Sequence, residues 1–224
     1  VFHDYMRPAV RLACLMKQQV IYVYTHDSIF LGEDGPTHQP VSTTLALRCL
    51  PGMQVIRPAD AYETVEAWKA ALTYTEGPTA LILSRQGLKI MDHKADGAQR
   101  GGYVASDCDG SPQICFLATG SEVGTAIGAQ ELLANDGIPS RVVSLPCREE
   151  FWRQDLCYRD EVLPPGVPRV SVEAGLTLGW DRYVGDTGAC VGIDHYGASA
   201  PASVLAEKFG FTPENVARVA KELL

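Results

Sequence analysis

No apolar run in this 224-residue chain approaches the roughly 20 residues that a helix needs to cross a bilayer. A membrane-spanning role is therefore set aside. Basic residues are also scarce: 19 Lys and Arg stand against 27 Asp and Glu, a formal net charge of −8, and no basic cluster interrupts the deficit. A polyphosphate backbone would be repelled, so nucleic acid is not the expected partner. The sequence lacks any C-x-x-C pair. Its seven cysteines (Cys14, Cys49, Cys108, Cys115, Cys147, Cys157 and Cys190) are odd in number and fall at no ligand-like spacing. They read as reduced, mostly buried thiols, which points to the cytoplasm. Val1-Phe2-His3-Asp4-Tyr5 has neither an initiating Met nor the charge-then-apolar order of a signal peptide, and the expectation is that the polypeptide continues upstream.

What is present is an ordinary globular composition, 46% apolar and 21% charged, on a chain long enough to bury a core without disulfides or a structural metal. Periodicity places an amphipathic helix over residues 5–18, with Met6, Val10, Ala13 and Cys14 on one side. Short apolar strands follow at Val20–Tyr24, Gln54–Ile56 and Thr79–Leu83, separated by helical patterns at Val41–Arg48 and from Asp60 to about Tyr74. Continuously apolar strands alternating with helices indicate an α/β fold whose parallel sheet is covered on both faces. Over residues 89–102 the apolar period is lost and Lys, Asp, Gln and Gly accumulate, as in a surface linker. The expected organisation is thus a first unit at 1–88, a linker at 89–102 and a second unit at 103–224.

The second unit repeats the alternation. Strands are expected at Gln113–Thr119, Arg141–Leu145, Arg169–Glu173 and Cys190–Ile193, and helices at Ser121–Asn135, after Gly175 and twice near the end of the sequence. The last of these has Thr212 as N-cap and Pro213 at its first position.

In parallel sheets, functional groups collect beyond the carboxyl ends of strands. That rule selects His26 and Asp27 after the first strand, Asp34 and His38 in the loop that follows, and Ser84 and Arg85 after Thr79–Leu83. If the two strands are neighbours, two imidazoles, a carboxylate and a guanidinium share one rim. Such a set suits a phosphorylated, polyhydroxylated substrate, because Arg grips phosphate bidentately, Asp accepts from hydroxyls and His moves protons near neutrality. The competing reading of each residue alone is a loop histidine or a surface ion pair. A metal site at His26, Asp34 and His38 matches no familiar zinc spacing. The run Gly197-Ala198-Ser199-Ala200-Pro201 falls short of a nucleophile elbow, since its final Gly is missing.

The segment Thr25 to Pro40 closely resembles the transketolase signature T-H-D-S-I-x-x-G-E-D-G-P-T-H-Q-P. Further matches occur in family order: Phe2, Tyr5 and Arg7 with F-x-x-Y-x-R, Arg57-Pro58-Ala59-Asp60 with R-P-A-D, Ser84-Arg85-Gln86 with S-R-Q, Ala118 to Val123 with A-T-G-S-E-V, and a terminal F-G-F-T ending at Thr212. The resemblance implies a thiamine-diphosphate-dependent enzyme moving a two-carbon ketol unit between sugar phosphates in the pentose phosphate pathway. Residues 1–88 would be part of a pyrimidine-binding domain and 103–224 a transketolase C-terminal-like domain. The partners implied are a homodimer mate and the N-terminal diphosphate-binding domain of the same protein. That domain would carry the Mg²⁺ or Ca²⁺ ligands, leaving this chain the pyrimidine end of the cofactor.

By the same resemblance, His38 is the catalytic histidine beside the reacting carbonyl. Asp34 reads the acceptor's C2 hydroxyl, His26 and Arg85 contact the phosphate end, and Phe2 and Tyr5 flank the cofactor's pyrimidine ring; helix-face packing is the competing reading for these two. The family's catalytic glutamate has no counterpart among these residues, so the chain alone is expected to be inactive. A non-catalytic assembly fragment and a dihydroxyacetone synthase are the alternatives. Two departures bear on the site: Phe30 replaces a small residue and would narrow the loop or close the entrance, and Gly87 replaces an Asn beside Arg85.

Overall fold

A computed structural model of the chain describes residues 2–91 and 95–224. The first amphipathic segment opens as a 3₁₀ turn, His3–Met6, and continues as helix α1, Arg7–Leu15. Pro8 sits in its first turn, where a missing N–H costs nothing. Val10, Ala13 and Cys14 are buried as the periodicity requires, but Met6 is exposed: the tighter 3₁₀ winding rotates it off the α-helical stripe.

Strands β1 (Ile21–Asp27), β2 (Gln54–Ile56) and β3 (Thr79–Ser84) form a parallel sheet in the order β1-β3-β2. Between them run α2 (Thr43–Arg48) and α3 (Ala61–Thr73). Asp60 caps α3, accepting from the Glu63 amide at 3.0 Å, and its second oxygen accepts from the Met91 amide at 3.1 Å.

A second sheet follows in the order β4-β6-β5-β7-β8, made of β4 (Tyr103–Ser106), β5 (Ile114–Ala118), β6 (Ser140–Ser144), β7 (Arg169–Val172) and β8 (Ala189–Val191). Every pairing is parallel except that of the edge strand β4. Alternate residues of β5 serve opposite faces. Ile114 and Phe116 pack against Val123, Ala126 and Leu133 of helix α4 (Glu122–Asn135) and Val216 and Ala220 of helix α9 (Pro213–Lys221). Cys115 and Leu117 pack against Phe151 and Trp180. The remaining helices are α5 (Arg148–Arg153), α6 (Leu156–Val162), α7 (Asp181–Val184) and α8 (Ala202–Phe209). Pro213 starts α9 and the Thr212 hydroxyl accepts from the Asn215 amide.

Part of the expected linker lies outside the described residues, namely 92–94. The rest is not a bare surface strand: Ala95 and Ala98 pack on Tyr103, and the Gly101 carbonyl accepts from the Cys147 amide at 3.1 Å. Small residues that read as linker composition are here what allows close packing.

The segment Arg57-Pro58-Ala59-Asp60 joins the two sheets. Arg57 donates its amide to the Pro146 carbonyl and accepts at its own carbonyl from the Gly120 amide. Its guanidinium, with 1% of the side chain exposed, donates to Asp27 at 2.7 Å, to the Thr119 carbonyl and hydroxyl, and to Glu122. Gly120 makes this possible. A Cβ there would lie 2.7 Å from the guanidinium carbon, and its φ of +57° suits glycine. Thr119 then donates to Glu173, which also receives a two-pronged grip from Arg48 (2.8 and 2.9 Å) and the indole N–H of Trp180. A second hub is Glu63, which accepts from Ala59 N–H, the Tyr103 hydroxyl and the Ser144 hydroxyl.

Removing one member of a buried charge set leaves the others uncompensated. Arg57→Ala is therefore expected to cost about 3–5 kcal/mol in urea unfolding; a loss below about 1 kcal/mol would show that the joint is not cohesive.

Burial by itself raises the Glu173 pKa, but Arg48 and Arg148 outweigh it and hold the carboxyl well below the usual range. A depressed folded-state pKa means that this stability is present above the unfolded value, about 4.3, and is lost as pH falls toward the folded one. Wild-type unfolding midpoints should thus drop more steeply below about pH 4.3 than those of Glu173→Gln. Parallel profiles for the two proteins would contradict the assignment.

Candidate functional site

The carboxyl ends of β1 and β3 are neighbours: Asp27 lies opposite Ser84 in the register, so His26 and Arg85 sit at adjacent strand ends. The chain leaves β1 through an unusual turn. His26 has φ +67° and Ser28 has φ +69° with ψ 176°, the latter a region that is essentially glycine's alone. A 3₁₀ segment, Ile29–Asp34, follows, kinked at Gly32, and the loop then closes with the amides of His38 and Gln39 on the Gly35 carbonyl at 3.0 and 3.1 Å. In the sequence Thr25–Gln39 has the glycine-rich character of a loop. Its helical content is hidden by Gly32 and Gly35.

Each site histidine follows a threonine, and in both cases the threonine hydroxyl meets Nδ1, at 2.9 Å for His26 and 3.0 Å for His38. Where the hydroxyl donates to Nδ1 the ring proton sits on Nε2, and where Nδ1 donates to the hydroxyl Nε2 is an acceptor. Among the described residues Nε2 of neither ring has a hydrogen-bond partner. Both imidazoles are half-buried, whereas Asp34 and Arg85 are exposed. Arg85 has no ion-pair partner among the described residues, so its guanidinium stays available to an anion.

Phe2 packs edge-on against the His38 ring with centroids 5.0 Å apart, and Tyr5 against Phe2 at 5.9 Å. The aromatic pair and His38 thus form one surface. Tyr5 is 88% exposed and Phe2 46%, so neither belongs to the core of this chain. Exposed aromatic faces beside an imidazole fit the ring of a heteroaromatic cofactor. Among the described residues no group of three or more His, Cys, Asp or Glu is placed to hold a metal ion.

Both braces under this site come from the second sheet's unit. Glu122, the first residue of α4, accepts from the Ser28 hydroxyl at 2.8 Å and pairs with Arg57, which holds Asp27. The run 197–201 clasps the loop: Ser199 Oγ donates to the Glu33 carbonyl at 2.6 Å, and Gln39 Nε2 donates to the Ala198 carbonyl at 2.9 Å. Helix α8 then packs on Ile29–Asp34. This is the run that falls short of a nucleophile elbow. Its small residues serve close approach instead, and a Cβ at Gly197 would lie 1.5 Å from Gln39 Oε1. Phe30, expected at the entrance, is half-buried against the core shared with Ile114 and Phe116. At Gly87 a Cβ would meet nothing within 4 Å.

Gly197→Ala is expected to push Gln39 aside and to speed amide exchange in residues 35–39, while β5 and β7 remain protected. Unchanged exchange across that loop would mean that the clasp does not hold it.

The family described as "Transketolase, pyrimidine binding domain" matches residues 1–91, and "Transketolase-like TK C-terminal domain" matches residues 101–212. The transketolase of Geobacillus stearothermophilus is 51% identical over 230 residues, covering 100% of this chain and 34% of that protein. Among solved structures, transketolase from Leishmania mexicana superposes with a TM-score of 0.94 at 48% identity, covering 99% of this chain and 32% of that one. A Pichia stipitis transketolase in complex with sedoheptulose 7-phosphate gives 0.94 at 42% identity, again over 99% and 32%. The chain therefore spans about a third of the length of these relatives.

Proposed function

The chain belongs to the transketolase family, and from that premise we propose that it supplies the substrate-facing part of an enzyme that moves a two-carbon ketol unit from a ketose phosphate to an aldose phosphate. The observation that carries this reading is the continuous surface of Tyr5, Phe2 and His38, with His26 and Arg85 at the adjoining strand ends.

Phe2 and Tyr5 are assigned to the pyrimidine end of thiamine diphosphate, whose diphosphate and Mg²⁺ or Ca²⁺ belong to the N-terminal domain of the full protein. When bound, that cofactor supplies the nucleophilic carbon that accepts the ketol unit. His38 lies beside the aromatic pair, and its Nε2 has no hydrogen-bond partner among the described residues. It stabilises the oxygen of the reacting carbonyl by donating a hydrogen bond and moves a proton as the C2–C3 bond of the ketose breaks. Asp34 accepts from the C2 hydroxyl of the acceptor. Arg85 and His26 hold the phosphate end, giving orientation rather than chemistry.

Residues 1–88 are assigned to the pyrimidine-binding domain, 89–102 to the connection and 103–224 to the C-terminal domain. A homodimer and docking of the N-terminal domain are supported by apolar side chains left exposed on α1 (Leu12, Leu15) and α3 (Tyr62, Val65, Trp68, Leu72). A cytoplasmic setting fits seven free cysteines, and no helix among the described residues is long and apolar enough to cross a membrane.

The test is ketol transfer with thiamine diphosphate and Mg²⁺, by the chain alone and joined to a diphosphate-binding domain. The chain alone should be silent. In the joined enzyme, His38→Ala should lower kcat by roughly 10²–10⁴. Arg85→Ala should instead raise KM for the phosphorylated substrate by about tenfold or more. Full kcat without the His38 imidazole would overturn the reading.

A further inference from the structure

Ser28 occupies a backbone region closed to most side-chain-bearing residues, a conformation that is unfavourable by itself. Such a conformation persists only where its surroundings over-determine it. Here they do. Ser28 is fully buried, its hydroxyl donates to Glu122 Oε1, and Asp27 before it is fixed by Arg57, whose other arm pairs with Glu122 Oε2. Glu122 is itself anchored. It accepts from the Ser121 hydroxyl at 2.6 Å and the Ala174 amide at 3.1 Å, and it sits in the first turn of α4, where the helix dipole favours a carboxylate. One carboxylate of the second unit thus reaches both residues that follow His26, a histidine whose own φ of +67° is left-handed.

We propose that Glu122 is a positioning residue for His26: through Ser28 directly, and through Arg57 and Asp27 indirectly, it holds the strained turn that presents the imidazole at the strand end. The consequence for substrate rests on the transketolase reading, in which His26 meets the phosphate end. The link from Glu122 to His26 does not. The C-terminal unit then takes part in substrate orientation without touching substrate.

The experiment follows the histidine ring signals of the 224-residue chain by ¹H–¹³C NMR. Glu122→Gln keeps the shape but loses the charge facing Arg57, and Ser28→Ala keeps the strain but loses the hydroxyl; both should shift the His26 resonances. Ser28→Gly adopts the same turn without strain and should leave His26 close to wild type. Leu133→Ala, a core truncation in the same helix as Glu122, controls for simple destabilisation and should leave the His26 signals in place. His26 signals unmoved by both Glu122→Gln and Ser28→Ala, or moved equally by Leu133→Ala, overturn the proposal.

A second arm uses the enzyme joined to a diphosphate-binding domain. Glu122→Gln should raise KM for a ketose phosphate by about tenfold while kcat changes less than about twofold, with little effect on a substrate lacking phosphate. If the NMR shifts appear but this split does not, the link between Glu122 and His26 stands, and it is the assignment of His26 to the phosphate end that fails.

Discussion

The two sheets depend on one guanidinium. Arg57 is almost fully removed from water, a placement that is unfavourable unless its charge and donors are met where it ends up. Its partners come from both units, Asp27 from the first and Thr119 and Glu122 from the second, so Nη1 finds its partners only when the units are docked. Apolar side chains of similar volume would hold the units together as well or better. What they lack is direction. A planar fork accepting only certain angles fixes how β1 faces α4 as well as the fact that they meet.

That constraint explains the division of labour between the units. The side chains assigned to substrate lie on the first sheet's loops, while the second unit contributes Glu122, Ala198 and Ser199 beneath them. Loops that carry function must be flexible enough to form and rigid enough to orient a reacting group. The loop here has few regular backbone bonds of its own, and its definition comes from the clasp around Glu33 and Gln39 and from α8 packed on Ile29–Asp34. A family signature read as a run of substrate residues is, in part, a set of attachment points: Gln39 and Ser28 belong to it and face the second unit.

Much of the fold was legible because it obeys local rules. The apolar strands, the alternation with helices, and the caps at Asp60 and Thr212 follow from periodicity and capping chemistry acting over a few residues. What was missed lacks a local signal. β4 is four residues at an antiparallel edge behind two glycines, and α5 is a mostly polar helix that buries only Arg148 and Phe151. For the candidate site, strand-end reasoning puts His26 and Arg85 side by side because topology alone brings β1 beside β3. The joint was invisible to it. Ser28 and Glu122 are 94 residues apart, and nothing in either neighbourhood marks a charge as buried rather than solvated. The motifs around Arg57 and Glu122 were recognised as family matches, with no indication that they touch.

The strain at Ser28 shows why a serine is informative there. Glycine would take the same backbone angles freely and would need no hydroxyl to hold them, so its turn would not depend on Glu122. Serine makes the turn conditional, since its conformation is favourable only while Glu122 accepts its hydrogen bond and Arg57 restrains Asp27. A displacement of α4 relative to β1 would therefore be felt at His26 before it disturbed either hydrophobic core, because hydrogen-bond geometry fails over shorter distances than apolar contact does. The geometry of the rim is thus tied to the docking of the two units.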